Sequence, residues 1–90
     1  MKKKEIIGVR CKILKGGMFS EEHIVDVCGR DYLVWDCNLK FSDEDPKIPY
    51  VRAICAYYDK FKRNYLVGIN ANDGYQNVRA KESQLVFKNE

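Results

Sequence analysis

Apolar residues recur at every second position along most of the chain, the spacing of strands that bury one face. Ile7, Val9, Cys11 and Ile13 alternate with Gly8, Arg10, Lys12 and Leu14, which predicts a first strand. His23 to Cys28 repeats the pattern, with Val25 and Val27 on one face and Asp26 on the other. Cys28-Gly29-Arg30-Asp31 follows as a compact turn, because glycine takes positive φ at little steric cost. Tyr32 to Cys37 then alternates again, placing Leu33, Trp35 and Cys37 toward the core and Tyr32 and Val34 outward. Two alternating runs around a short glycine-containing turn predict a β-hairpin.

The stretch 42–49 breaks the period. It is acidic at Asp43-Glu44-Asp45 and holds both prolines of the chain, Pro46 and Pro49. Proline removes a ladder donor and fixes φ, so a connection is expected there, with Ser42 and the acids capping one helical turn. Beyond it, Val51, Ala53, Cys55 and Tyr57 alternate with Arg52, Ile54, Ala56 and Tyr58. Tyr65, Val67 and Ile69 alternate with Leu66, Gly68 and Asn70, and Asn70-Ala71-Asn72-Asp73-Gly74 is a dense turn signal. Tyr75 to Arg79 reads as a weaker strand, Lys81-Glu82-Ser83 as one tight turn, and Leu85-Val86-Phe87 as a short closing strand.

The two halves superimpose in sequence at an offset of 42 residues, with Val9 on Val51, Phe19 on Phe61, Val25 on Val67 and Asp31 on Asp73. With a short insertion in the second half, Leu39-x-Phe41 falls on Leu85-x-Phe87. The identities are few, and any two strand–turn–strand units look alike. The pattern admits two pseudo-repeats, 6–41 and 48–87, joined by the acidic proline-containing loop 42–49.

Ninety residues suffice for one domain, 1–90, and not for two separate cores. The expected fold is all-β and mostly antiparallel. It is a small SH3-like barrel, or a compact barrel or sandwich of six to seven strands, with at most one short helical turn. No apolar run is long enough to span a bilayer as a helix. Met1-Lys2-Lys3-Lys4 imitates the start of a signal peptide, but Glu5, Arg10 and Lys12 interrupt the apolar stretch such a signal needs. A cytoplasmic location is the expectation.

Candidate chemistry changes this picture little. Cys11, Cys28, Cys37 and Cys55 are spaced C-x16-C-x8-C-x17-C, without the tight knuckle that aims two thiolates at one zinc ion. Free, buried thiols and no bound metal or cofactor are expected. His23 is the only histidine, and no nucleophile–base motif accompanies it. The carboxylates at Glu21-Glu22 and Asp43-Glu44-Asp45 read as solvated loops. Lys15-Gly16-Gly17-Met18 lacks the phosphate-loop patterns, although its backbone amides and Lys15 offer an anion a cradle. The chain is therefore expected not to be an enzyme.

The richest stretch is Tyr57-Tyr58-Asp59-Lys60-Phe61-Lys62-Arg63-Asn64-Tyr65. Its rings supply stacking faces and its cations attract phosphates. The net charge of +3 permits an anionic partner without demanding one. The expected function is a binding protein for a phosphate-bearing ligand, a nucleic acid or a free nucleotide, the latter sequestered by a homo-oligomer. The expected ligand-binding residues are Tyr58, Lys60, Lys62, Arg63, Tyr65 and Lys15. The alternative is a protein–protein interaction module, as an inhibitor, an adaptor or an oligomer-forming subunit, with Tyr32, Val34, Ile54 and Leu66 as an outward apolar surface.

Overall fold

A computed structural model describes residues 5–42 and 47–88. The described chain forms nine strands: β1 (Ile6–Arg10), β2 (Lys12–Gly16), β3 (Glu22–Val27), β4 (Arg30–Trp35), β5 (Leu39–Phe41), β6 (Pro49–Asp59), β7 (Asn64–Ala71), β8 (Gly74–Ala80) and β9 (Leu85–Phe87). Single 3₁₀ turns at Asp36–Asn38 and Glu82–Gln84 lead into β5 and β9. The fold is thus all-β with short strands, more of them than the six or seven expected. A one-residue break at Cys11 divides the first expected strand in two, and there are two helical turns instead of one because each half places a 3₁₀ turn before its last strand. The helical turn expected at Ser42–Asp45 falls largely outside the described residues.

All strand pairs are antiparallel and make two sheets. One runs β8-β7-β6-β1-β9, with β5 also on β6; the other runs β2-β3-β4. The break at Cys11 carries the chain from the first sheet to the second, and its N–H donates to the Pro49 carbonyl at 3.0 Å. Both sheets feed one core. Val9, Leu39, Val51, Val67, Ile69, Val78 and Leu85 come from the first, and Val25, Val27 and Val34 from the second. β-branched side chains dominate because they pack well on a pleated surface.

The two halves share an order of elements: a long or broken strand, a hairpin, a 3₁₀ turn and a three-residue strand. β1 pairs with β6 so that Val9 faces Val51, while Leu85 of β9 pairs with Val9 and Leu39 of β5 with Val51. Each half also carries one register shift in its first hairpin, between Ile13 and Lys15 and between Ala53 and Cys55.

Three sequence expectations about facing are corrected. The β3–β4 hairpin closes through Cys28-Gly29, both at positive φ, and pairs Val27 with Arg30, Val25 with Tyr32 and His23 with Val34. Paired residues share a face, so Val34 joins Val25 in the core and is fully buried, while Trp35 is 37% exposed. Tyr32 packs against the core as well. The inward placement of Leu33, Trp35 and Cys37 was therefore one residue out of phase. Second, the register shift at Ile54 flips the rest of β6, so Ala56 turns inward and Tyr57 outward. Third, burial of all the cysteines fails. Cys11 is buried and Cys28 half-buried, but Cys37 sits exposed on a 3₁₀ turn and Cys55 exposed beyond the shift. Of the expected outward apolar surface, Val34 is buried, Tyr32 and Leu66 are half-buried and Ile54 is exposed.

Candidate ligand-binding hairpin

The Tyr57–Tyr65 stretch is the end of β6, the start of β7 and the four-residue loop Lys60–Arg63 between them, closed by the pair Asp59 and Asn64. Asp59 organises the loop. Its Oδ1 accepts the N–H groups of Phe61 (3.0 Å) and Lys62 (3.1 Å), and its Oδ2 accepts Arg79 Nη1 (2.8 Å). The Arg63 N–H donates to the Asp59 carbonyl at 2.8 Å, and Arg63 takes the left-handed φ of 56° that brings the chain back into β7. Arg79 Nη1 also donates to Asn64 Oδ1 at 3.1 Å. The Arg79 hydrogen bond first, then the Lys62 N–H, holds the Asp59 carboxyl below its ordinary range. The one acid of the stretch is thus committed to the loop's own backbone and to Arg79.

This leaves a distinct surface. Lys60, Lys62 and Arg63 are exposed and have no acidic partner among the described residues. Phe61 at the tip is wholly exposed. Tyr58 and Tyr65 are a cross-strand pair with ring centroids 5.1 Å apart in edge-on contact. Tyr65 packs against the core and Tyr58 is half exposed beside it. Tyr57 lies on the opposite face, paired with Leu66.

Five of the six expected residues therefore meet on this hairpin, and Lys15 does not. β1 runs antiparallel to β6, so β2 continues past the beginning of β6 at Pro49, whereas the tip lies at its far end. The amides offered by the loop at Gly16-Gly17 are engaged from within: the Gly17 N–H donates to the Glu22 carbonyl at 2.8 Å, and the Glu22 carboxylate takes the next two. Glu22, only 6% exposed, places Oε1 at 3.0 Å from the Met18 N–H and 3.3 Å from the Phe19 N–H. Its Oε2 accepts Asn72 Nδ2 at 2.7 Å. A built-in carboxylate fills the anion position.

Residues missed from sequence include Asp59 and Phe61 in their actual roles. An aspartate bonding backbone two residues on is a recognised turn signal, and Asp59 opens such a turn. A shallow groove of about 390 Å³ lies elsewhere, lined by Asp31, Tyr32, Leu33, Asn72 and Asp73. Asn72 Oδ1 beside it is buried with no partner among the described residues. His23 Nε2 meets Asp36 Oδ1. Among the described residues no group of three His, Cys, Asp or Glu side chains is placed to hold a metal ion, and no helix is long and apolar enough to cross a membrane. No protein-family model, no curated protein and no solved structure matches the chain.

Proposed function

We propose that the protein is a non-enzymatic binding module, SH3-like in layout, whose β6–β7 hairpin holds a phosphate-bearing ligand. The observation that carries this reading is the loop itself: a wholly exposed Phe61 among three cations with no acidic partner among the described residues, on a backbone fixed by an acid that is already engaged. An exposed ring flanked by cations suits stacking on a base with phosphates alongside. The surface projects and encloses nothing, which favours a single nucleic-acid strand over a free nucleotide. A nucleotide needs walls that one copy's tip does not supply.

Fluorescence anisotropy with labelled single-stranded DNA and RNA, and with a nucleotide panel, tests the reading. Wild-type affinity for a strand falls as salt rises, and Lys60→Ser, Lys62→Ser and Arg63→Ser together remove the binding and flatten the salt slope. Phe61→Ala weakens binding by about 1–3 kcal/mol with little change in that slope. Absence of wild-type binding to any of these ligands would refute it.

A second reading, a protein-interaction module, draws on one specific observation at the other hairpin. Met18 is 89% exposed, and the partly exposed rings of Phe19 and Trp35 stand with centroids 6.2 Å apart. Captured protein that is lost with Phe19→Ser and retained by the triple loop variant would favour that reading.

A further inference from the structure

We propose that β8 is a self-association edge, pairing antiparallel with β8 of a second copy about a two-fold axis at Asn77. This inference is independent of the ligand reading, since it uses neither the Lys60–Arg63 loop nor its rings.

β8 ends the six-stranded sheet. Its seven residues pair with β7 on one side, and among the described residues no strand or backbone hydrogen bond occupies the other. An edge of that length is a template for another strand unless charge, proline or a bulge blunts it. β8 has no proline, no register shift against β7, and Arg79 as its only charged residue. That charge is neutralised by Asp59.

The direction of the free backbone groups follows from the turn. Ala71 pairs with Gly74 across the two residues Asn72 and Asp73. A two-residue hairpin is closed by a pair that exchanges both N–H···O bonds, and such pairs alternate along the ladder. Gly74, Gln76, Val78 and Ala80 therefore turn their N–H and C=O groups toward β7, while Tyr75, Asn77 and Arg79 turn theirs outward. The outward set is symmetric about Asn77.

Centring the pairing there sets Asn77 against the partner's Asn77 and Tyr75 against the partner's Arg79. All three outward residues then exchange bonds on both copies. Asp73 meets the partner's Lys81, twice by symmetry, and both are exposed with no ion-pair partner among the described residues. Moving the axis by one residue either way loses this match. At Gln76, Asp73 faces an arginine already bridged to Asp59. At Val78, Asp73 faces Ser83. A second copy is thus the occupant whose charges fit this edge, in an isologous pairing that closes on itself.

Sedimentation velocity over a concentration series, with hydrogen exchange at both ends of it, tests the proposal. Dimers are expected, and exchange at the Tyr75, Asn77 and Arg79 amides slows as concentration rises. The Gln76, Val78 and Ala80 amides stay protected throughout. Asn77→Pro removes an outward donor and so spares the fold, yet weakens the dimer at least about tenfold. Asn77→Lys, which sets like charges at the axis, does the same should proline perturb the strand. Asp73→Lys weakens the dimer, and Asp73→Lys with Lys81→Asp restores it. A monomer at high concentration overturns the proposal, and so does a dimer insensitive to Asn77→Lys.

Discussion

The two loops that hold exposed phenylalanines are built alike and finished differently. Phe19 lies in the β2–β3 loop and Phe61 in the β6–β7 loop, and in each a carboxylate binds consecutive backbone amides. In the first, the carboxylate is Glu22, buried under its own loop and tied across the molecule to Asn72. In the second it is Asp59, at the surface, balanced by Arg79. The first loop is part of the structure that joins the halves. The second makes no such connection among the described residues, and its cations and ring are exposed to solvent. Comparable backbone hardware therefore ties the molecule together at one hairpin and carries an exposed basic tip at the other.

Substitutions break this comparison in a graded way. The largest effect concerns the core beneath the first hairpin. Val34→Asp buries an unpaired charge and costs more than about 3 kcal/mol, while Trp35→Asp on the exposed face costs far less, as read by urea unfolding. Next, Glu22→Ala leaves three donors without their acceptor and lowers stability by about 2–3 kcal/mol. Gly17→Ala follows at about 1–3 kcal/mol, because a Cβ there stands 2.7 Å from Glu22 Cβ, whereas at Gly16 it meets nothing within 4 Å. At the second hairpin, Asp59→Asn changes stability less than either of these, because its carboxylate is screened by solvent. The Lys60, Lys62 and Arg63 triple variant stays within about 0.5 kcal/mol.

The pH dependence separates the loops further. Asp59 has a folded pKa below its unfolded one, so its contribution is complete at neutral pH. It is lost as pH falls from the unfolded carboxylate range through the depressed folded value. The amides of Phe61 and Lys62 should therefore shift in acid, in NMR spectra, and Asp59→Asn should remove that transition. Thiol chemistry gives a smaller, complementary contrast. Burial first, and then the Asp26 charge, pushes Cys11 up to about 12. Exposed Cys37 and Cys55 should alkylate well before it, as followed by mass spectrometry.

Much of this fold was legible in the period-two runs, including the hairpin at Cys28-Gly29 and the strand Leu85–Phe87. What misled was facing. Two positions joined by an even-length hairpin loop pair odd with even, so burying Val25 and Val27 requires Tyr32 and Val34 on the same face. Alternation in phase with Leu33 and Cys37 argued for placing Trp35 in the core, and the pairing register outweighed it. The shift at Ile54 has no sequence signal of its own, since neither glycine nor proline marks it, and it alone turned Tyr57 and Cys55 outward. The hairpin residues of the candidate site could be grouped from sequence because charge and rings cluster locally. Lys15 was misjoined because its glycines resemble an anion cradle, and the carboxylate that fills it comes from Glu22 at the start of the next strand.

The central claim is that the Lys60–Arg63 loop, and not its counterpart around Phe19, meets a phosphate-bearing ligand. An NMR titration of the labelled protein with a short single-stranded oligonucleotide tests it most directly. The account predicts that amide shifts and line broadening concentrate at Tyr57–Tyr65 and fade as salt is raised. Residues Gly17–Glu22 should stay unmoved. Shifts centred on Met18, Phe19 and Trp35, or no shifts anywhere, would contradict it.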